Sequence, residues 1–368
     1  MSTQILHRAI FAAAVSSGIT AHANAQDYTY TDLGTGAANA INDAGQVAGT
    51  NSSNAVLWNG STPTILDTLG HYGDSTGING SGEVTGFDHP SGGNRPIYNA
   101  LDWNGTSLGI LDTQNKTSSI ATGINNSGTE VGFVYKGDDT NRRQAVIWMG
   151  GNTIALGTTN SHTYSDATAI NNGGQEVGYF YQDNHSGMRQ AVLWNGTTPT
   201  ILGTLGSHTS SEATAINNNG QEVGYSDSGA YLHRSAVLWN GSTPTVLGSL
   251  GGTNSMALGI NNAGDVVGYS YTAGNALKEA VLWEGNKVIN LNSYLTSSEV
   301  KAGWVLEDAT GINSSGAIVG VAENTVTGKT DAFVLNVVSA VPEPGTTAMF
   351  LSGLGLIAFV SRRRKTIS

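Results

Sequence analysis

One motif occurs seven times along this chain and limits the folds open to it. The pattern is Ile-Asn-x-x-Gly-x-x-x-Gly, and successive copies begin 37 to 52 residues apart. A period of this size indicates one supersecondary unit copied along the chain. The isoleucines are Ile41, Ile78, Ile124, Ile170, Ile216, Ile260 and Ile312.

A second marker keeps the same phase. Ala-x-x-Trp segments recur 44 to 46 residues apart, and in the seventh copy Ala332-Phe333-Val334-Leu335 takes the same place. Two markers with one period make chance similarity a poor explanation. The tryptophans are Trp58, Trp103, Trp148, Trp194, Trp239 and Trp283.

The fifth copy shows what one unit contains. The run 213–216 is β-like, the turn Asn217-Asn218-Asn219-Gly220 follows, and 221–226 forms the return strand. Residues 235–239 and 243–247, joined by Asn240-Gly241, form a second hairpin. Four short antiparallel strands in about 45 residues predict a propeller blade, so seven copies predict an all-β, seven-bladed β-propeller. A β-solenoid is the main alternative.

The two ends of the repeat region predict how the ring closes. Residues 28–34 match the fourth strand of a unit, whereas the seventh unit ends on its third strand, 331–335. The N-terminal strand is therefore expected to complete the last blade. Such closure also removes two free sheet edges.

The N-terminus has the features of a secretory signal peptide over residues 1–25. His7 and Arg8 precede the apolar run 9–15, and Ala23 and Ala25 provide an A-x-A cleavage site. An uncleaved anchor is the alternative, although the apolar run is short for a membrane span.

The C-terminus, residues 341–368, carries a second signal. Val341-Pro342-Glu343-Pro344 precedes the apolar run 346–360, and the cations Arg362, Arg363, Arg364 and Lys365 end it. These residues closely resemble the PEP-CTERM sorting segment of Gram-negative bacteria. The resemblance implies processing by an exosortase-type protease and release to the cell surface or the exopolysaccharide matrix. A plain C-terminal membrane anchor, with its basic tip inside, is the alternative.

Charge narrows the choice of partners. Residues 26–342 hold 11 Lys and Arg against 26 Asp and Glu, a net charge of −15. So acidic a body argues against nucleic acid and against anionic lipid, which require basic surfaces. Any contact with membrane is expected only through the C-terminal segment. The chain has no Cys, so burial and strand pairing must supply its stability.

The repeat unit resembles the HAF extracellular repeats over residues 28–337. The shared elements are Ala-Ile-Asn-x-x-Gly-x-x-Val-Gly, Ala-Val-Leu-Trp and Leu-Gly-x-Leu-Gly-Gly. The chain departs from that family at its His-Ala-Phe signature. Gln144, Gln190, Ser235 and Glu279 stand where the histidine would precede Ala, and the resemblance implies no activity.

A catalytic site in a repeat ring should disturb the repetition, because chemistry needs unlike groups in one place. Two disturbances are visible. The first unit has a short link from Gly49 to Ala55, and an insertion, Leu291 to Glu307, lengthens the last. The insertion holds Tyr294, Glu299, Lys301 and Trp304. It is expected to be a covering loop, with a short helix, a lid or a binding site as alternatives.

Histidine and acid recur together before three isoleucines: His71 with Asp74, His162 with Asp166, and His208 with Glu212. They are interpreted as solvated loop residues, with a metal site as the alternative. The Asn-rich turns, such as 261–265, lack the carboxylates of calcium loops. The Asn-Gly-Ser/Thr tripeptides at Asn59, Asn104, Asn195 and Asn240 read as hairpin turns rather than glycosylation sites.

These observations predict an exported, non-enzymatic interaction or structural module. Its parts are the signal peptide 1–25, the propeller 26–340 and the sorting segment 341–368. No catalytic residue, metal or cofactor is predicted, and the expected partners are an exosortase and an extracellular polysaccharide. Two alternatives use one rim of the ring. One is a glycan-active enzyme tested at Glu299, Glu307 and Asp308, and the other is a lectin, favoured by exposed aromatics repeated on one rim.

Overall fold

Seven separate antiparallel sheets of four strands each make up the part of the chain that the computed structural model describes. That part is residues 27–338 without 67, 90–96, 106, 112–117, 136–142, 160–163, 182–187 and 229–232. The prediction of an all-β, seven-bladed propeller is confirmed. The solenoid alternative is wrong, since these sheets pair antiparallel strands. The predicted signal peptide and sorting segment lie outside the described residues.

Strand β1 (Tyr28–Thr35) precedes the first blade, and blades 1 to 6 each take four consecutive strands. Blade 1 is β2 (Ala37–Ile41), β3 (Gln46–Asn51), β4 (Asn54–Asn59) and β5 (Thr62–Ile65). Blade 2 is β6 (Tyr72–Ile78), β7 (Val84–His89), β8 (Asn99–Asn104) and β9 (Ser107–Ile110). Blade 3 is β10 (Ser119–Ile124), β11 (Glu130–Tyr135), β12 (Arg143–Met149) and β13 (Asn152–Ala155). Blade 4 is β14 (Tyr164–Ile170), β15 (Gln175–Tyr181), β16 (Arg189–Asn195) and β17 (Thr198–Ile201).

The remaining blades continue the same pattern, and blade 7 takes three strands of its own. Blade 5 is β18 (Ser210–Ile216), β19 (Glu222–Asp227), β20 (Arg234–Trp239) and β21 (Pro244–Val246). Blade 6 is β22 (Gly251–Ile260), β23 (Val266–Thr272), β24 (Lys278–Glu284) and β25 (Lys287–Asn290). Blade 7 is β26 (Trp304–Ile312), β27 (Ile318–Asn324) and β28 (Lys329–Val337), completed by β1.

The chain therefore closes the ring with its own N-terminal strand, as predicted. Strand β1 pairs antiparallel with β28, from Tyr28 opposite Val337 to Thr35 opposite Asp331. Leu33 packs in the cluster between blades 7 and 1, beside Val334. Pairing with β1 thus covers the edge of β28 that the seventh unit would otherwise leave open.

The constant spacing within the repeats follows from a β-bulge in the first strand of each blade. In blade 4 the register of β14 and β15 shifts between Ala167 and Ala169, so Thr168 is an extra, bulged residue. Next to this bulge Gly178 passes so close that a Cβ would lie 2.0 Å from the carbonyl oxygen of Asp166. The second glycine of the motif is thus required by close backbone approach, whereas Gly174, at φ +74°, is required by the turn.

Tryptophan and leucine join neighbouring blades. Trp194 and Trp239 are fully buried, and each indole Nε1 donates to the carbonyl oxygen of a glycine in the preceding blade, Gly157 at 2.7 Å and Gly203 at 2.9 Å. The leucines just before these glycines, Leu156 and Leu202, are buried in the clusters between blades. The Leu-Gly end of one unit therefore provides the hydrogen-bond acceptor for the tryptophan of the next unit and packs in the same cluster.

The insertion in the last unit forms a 3₁₀ turn, Leu291–Tyr294, and a short helix, α1 (Ser297–Lys301). Thr296 and Glu299 form a capping box at the start of α1. Leu291 is buried with Leu306, and the Tyr294 ring meets that of Tyr28 edge-on at 4.9 Å. The segment thus extends the core of blade 7. A further 3₁₀ turn, Ala273–Asn275, links β23 to β24.

Candidate functional site

The first strands of neighbouring blades adjoin all round the ring, so they line a central channel. The channel has two unlike ends. At the end we call the asparagine end, these strands finish in the Ile-Asn turns. At the other, the aromatic end, they begin, and the residue four places before each isoleucine lies near this end. These residues are Ala37, Asp74, Ile120, Asp166, Glu212, Met256 and Asp308.

A closed ring of side-chain hydrogen bonds forms the asparagine end. The Nδ2 of each motif asparagine donates to the backbone oxygen of the corresponding asparagine in the next blade, at 3.0 to 3.3 Å. The last bond, from Asn313 to Asn42, joins blade 7 to blade 1. The members are Asn42, Asn79, Asn125, Asn171, Asn217, Asn261 and Asn313, all buried.

The same asparagines hold their own turns. The Oδ1 of Asn171 accepts from the backbone N–H groups of Gly173 at 3.0 Å and Gln175 at 2.9 Å. Its Nδ2 also donates to Oε1 of Gln175 at 2.9 Å. One side chain therefore shapes its turn and binds the adjacent blade. Six of the seven isoleucines and five of the residues that follow these asparagines line a cavity of about 230 Å³ at this end.

The aromatic end carries ion pairs across three blade junctions. Each pairs a cation at or beside the start of one blade's third strand with a carboxylate on the next blade's first strand. Arg143 lies 2.9 Å from Asp166, Arg189 pairs with Glu212, and Lys278 lies 2.6 Å from Asp308. Tyrosine hydroxyls of Tyr179 and Tyr225 donate to Asp166 and Glu212.

Aromatic rings accompany these cations. Arg143 lies over Phe133 at 4.8 Å, Arg189 over Tyr179 at 4.5 Å, and Arg234 over Tyr225 at 4.1 Å. Lys278 lies 4.6 Å over Tyr269. Contacts of this geometry are cation–π interactions, which strengthen away from solvent. Burial raises the pKa of Asp166 to about 6, even though Arg143 and Tyr179 lower it.

Further aromatic side chains lie at this end, and most of them are only half-buried. Tyr98 meets Phe87 edge-on at 5.7 Å and stacks on Tyr135 at 6.3 Å, and Tyr164 lies 5.4 Å from Tyr181. Tyr164 is buried on the first strand of its blade, and Tyr98 directly precedes a third strand. The other half-buried rings lie on second strands of blades 2, 3, 4 and 6. The half-exposed rings are Phe87, Tyr98, Tyr135, Tyr181, Tyr269 and Tyr271.

The repetition at the aromatic end breaks between blades 1 and 2. There a cavity of about 450 Å³ is lined by Asn39, Thr50, Asp74, Thr76, Phe87 and Thr122. Thr50 stands where blades 3 to 6 carry Phe or Tyr, and the β3–β4 hairpin turns at Ser52 and Ser53 instead of presenting an arginine. This short hairpin is the link from Gly49 to Ala55 that marked the first unit in the sequence.

Three buried glutamates lie on the second strands of blades 3 to 5, each opposite the isoleucine that ends the first strand of its blade at the asparagine end. Glu130, Glu176 and Glu222 pair across the sheet with Trp148, Trp194 and Trp239. One carboxylate oxygen of each lacks a hydrogen-bond partner among the described residues. Burial raises the pKa of Glu130 to about 8 and the pKa of Glu176 and Glu222 to about 7.

Two of the histidines that lie near acids in the sequence, His71 and His208, contact other side chains. His71 Nδ1 lies 2.8 Å from Asp88, and His208 Nδ1 lies 3.2 Å from Ser226 Oγ. Asp166 and Glu212 are buried partners of arginines, so their interpretation as solvated loop residues is wrong. His162 lies outside the described residues. Within the described ranges no three His, Asp or Glu side chains converge as metal ligands would.

The three acids proposed for a catalytic test have different structural roles. Glu299 caps α1, and Asp308 pairs with Lys278. Burial and a hydrogen bond with Glu323 raise the pKa of Glu307. The arginines at the aromatic end were missed in the sequence, although Arg143, Arg189 and Arg234 recur 45 to 46 residues apart. That period was the available signal.

Comparison with known proteins supports the fold and the export. No curated protein is significantly similar to the chain. The β-propeller domain of the Trilobed protease from Pyrococcus furiosus, described as having an open velcro topology, matches with a TM-score of 0.51 at 9% identity, over 87% of this chain and 98% of that one. A gluconolactonase from Xanthomonas campestris matches with a TM-score of 0.43 at 7% identity, over 84% and 90%.

Residues 340–365 match the PEP-CTERM protein-sorting motif. None of the helices in the described part of the chain is long and apolar enough to cross a membrane, and the predicted C-terminal span lies outside that part. The PEP-CTERM motif is a substrate signal for exosortase processing. The chain is therefore an exported seven-bladed propeller with a PEP-CTERM sorting segment at its C-terminal end.

Proposed function

We propose that this protein is a non-enzymatic module of the HAF repeat type that binds extracellular polysaccharide with the aromatic end of its ring. The observation that carries the proposal is the group of half-exposed aromatic rings on blades 2, 3, 4 and 6. Aromatic rings offer apolar faces and polar edges together, which suits a sugar ring. The exosortase signal supports a location at the cell surface or in the matrix, where such polymers lie.

The carboxylates at this end support binding rather than catalysis. Asp166, Glu212 and Asp308 form ion pairs with cations of the neighbouring blade, so these carboxylates already stabilise the contact between blades. A general acid or base must instead reach its substrate's proton. The acidic body also favours neutral or cationic polymers over acidic ones.

A glycan-binding assay on the full chain tests the proposal. We expect Tyr98→Ala combined with Tyr135→Ala to weaken binding to polysaccharide about tenfold, because the stacked pair loses its ring surface. Ile110→Ala, an exposed apolar residue on an outer strand, is the control and should bind as the unsubstituted chain does. Absence of binding to every glycan on an array would refute the proposal.

A glycan-active enzyme is the second candidate. The observation that favours it is the Glu307–Glu323 pair, whose shared hydrogen bond and burial raise the pKa of Glu307, as a general acid requires. Turnover of a polysaccharide that Glu307→Gln abolishes and Glu299→Gln leaves intact would favour this candidate over binding alone.

A further inference from the structure

The cavity between blades 1 and 2 lies at a position where other blades carry an aromatic ring. In blades 4 to 6 the residue after the second glycine of the motif is a tyrosine, such as Tyr179 after Gly178. In blade 1 the residue after Gly49 is Thr50, which lines the cavity. The smaller side chain leaves space where the repeat otherwise places a ring. The cavity volume, about 450 Å³, lies in the usual range of small-molecule sites.

The first strands of blades 1 to 3 each contribute one bulged residue to the cavity wall. Asn39, Thr76 and Thr122 are the extra residues at the register shifts of these strands. Thr76 donates its hydroxyl proton to the Ala121 oxygen at 2.9 Å, and Thr122 donates to the Ala167 oxygen at 2.9 Å. Both hydroxyl oxygens keep lone pairs that can accept from a ligand.

Asn39 and Thr50 add donors to these acceptors. One N–H of the Asn39 amide bonds to the Ser75 oxygen at 2.9 Å. The second N–H of Asn39, its Oδ1 and the Thr50 hydroxyl have no partner among the described residues. The charged residue of the lining, Asp74, already has an interaction partner, so neutral groups provide the open hydrogen-bonding positions.

We propose that this cavity binds one uncharged hexose unit of a neutral polysaccharide. This inference rests on the proposed function, and it names the sugar class and its place at the aromatic end. The half-exposed Phe87 ring offers a flat apolar face to the pyranose ring. Sugar hydroxyls both donate and accept, so they match Thr76 and Thr122 as acceptors and Asn39 and Thr50 as groups that do both.

A charged sugar fits this cavity less well than a neutral one. The ammonium group of an amino sugar only donates and requires a carboxylate, whereas Asp74 already has its partner. A uronate would bring a second negative charge beside Asp74, into a body of net charge −15. Either charge would lose water without a compensating ion in the cavity.

Isothermal titration calorimetry with the full chain tests the inference, at salt near physiological strength to screen long-range attraction. The probes are hexamers of β-1,4-linked glucose, mannose and glucosamine. We expect a neutral hexamer to bind and Thr50→Tyr to weaken it about tenfold or more, because the new ring fills the space that the sugar needs. Tyr is native at this position in blades 4 to 6, so the blade accepts it. The glucosamine hexamer, which the net charge attracts anywhere on the body, should change less than about twofold.

A second variant and a matched control accompany this measurement. Phe87→Leu removes the flat face and keeps an apolar side chain, so it should weaken the neutral hexamer about threefold or more. Thr64→Tyr makes the same substitution on the exposed outer strand of blade 1. It should change affinity less than about twofold. Circular dichroism of each variant checks folding.

The outcomes separate this inference from the proposed function. A neutral hexamer that Thr50→Tyr leaves unaffected, while Tyr98→Ala with Tyr135→Ala weakens it, would overturn the inference and leave the proposed function standing. Binding confined to the glucosamine hexamer, or an equal effect of Thr50→Tyr on it, would also overturn the inference. So would the failure of all three hexamers to bind, in which case the glycan array decides the proposed function by itself.

Discussion

At the scale of single residues, the buried asparagines are expected to contribute more to the free energy of unfolding than their exposed neighbours. Asn171→Ala is expected to lower the free energy of unfolding by about 3 kcal/mol. The loss leaves the partly buried N–H groups of Gly173 and Gln175 without their acceptor and removes the buried bond to the backbone oxygen of Asn217. Urea unfolding followed by tryptophan fluorescence measures it.

The control for that experiment is the next residue along the chain. Asn172 is exposed, and its side chain accepts one bond, from the Asn126 N–H at 2.9 Å. Asn172→Ala should therefore cost less than about 1 kcal/mol. Equal losses for the two variants would contradict the role given to the buried ring.

The buried glutamates predict a dependence of stability on pH. In the folded state burial raises the pKa of Glu222 from 4.5 to about 7. The stability that depends on this proton is complete below pH 4.5 and is lost as pH rises through 7. Glu222→Gln cannot ionise, so it should raise the free energy of unfolding by about 2 kcal/mol at pH 8, and much less at pH 4.

Urea titrations at the two pH values measure this difference. Glu284→Gln is the control, because that carboxylate is more than a third exposed beside Lys287. It should change stability by less than about 0.5 kcal/mol at either pH. Blades 1, 2, 6 and 7 carry Val47, Val84, Val266 and Ile318 at this position, which shows that the site accepts an uncharged side chain.

At the scale of elements, one strand decides whether the ring is closed. Strand β1 pairs along its length with β28 and buries Leu33 against the junction of blades 7 and 1. Removing residues 28–34 from the exported chain should lower the unfolding midpoint strongly and produce dimers or aggregates, since the β28 edge becomes free. Size-exclusion chromatography and thermal melts report both.

Leu33→Ala separates packing from pairing in that strand. It keeps the backbone ladder and should cost about 2–3 kcal/mol without self-association. A truncated chain that stays monomeric and as stable as the intact one would show that β1 is dispensable.

At the scale of the whole molecule, the ring is closed by one blade that combines strands from both ends of the chain. This arrangement predicts where new chain ends can be placed without loss of stability. A circular permutant begins at the exposed turn Gly150–Gly151 and joins Tyr28 to Val337 by a short linker. In this permutant blade 3 combines strands from both chain ends, because the new N-terminal strand β13 pairs with β12 near the new C-terminus. We expect it to unfold in one transition at nearly the original midpoint.

A permutant opened after Gly157, between blades 3 and 4, shares no blade between its ends. The ring then depends at that seam on side-chain bonds such as Trp194 to Gly157 and Asn125 to Asn171. Its midpoint should fall well below that of the first permutant in thermal melts. Equal midpoints would contradict the role of the shared blade in stability.

Much of this architecture is predictable from the sequence because it is local. The Ile-Asn turn, its positive-φ glycine and the Ala-x-x-Trp strand each act within about ten residues, so their period reveals the blades and their number. The short link of the first unit is also visible in the sequence, and its Thr50 lines the cavity between blades 1 and 2.

What only the tertiary structure decided is which side chains meet across blades. Asp166 was paired with His162 by proximity in the sequence, yet its partner is Arg143, on the preceding blade. The closed ring of asparagines likewise joins residues about 45 positions apart, and its last bond joins residues 271 apart. Such contacts depend on the angle and curvature that ring closure imposes, and no local pattern of residues encodes those quantities. The sequence alone therefore predicts the blades, whereas the side-chain contacts at the two channel ends form only when the blades pack side by side.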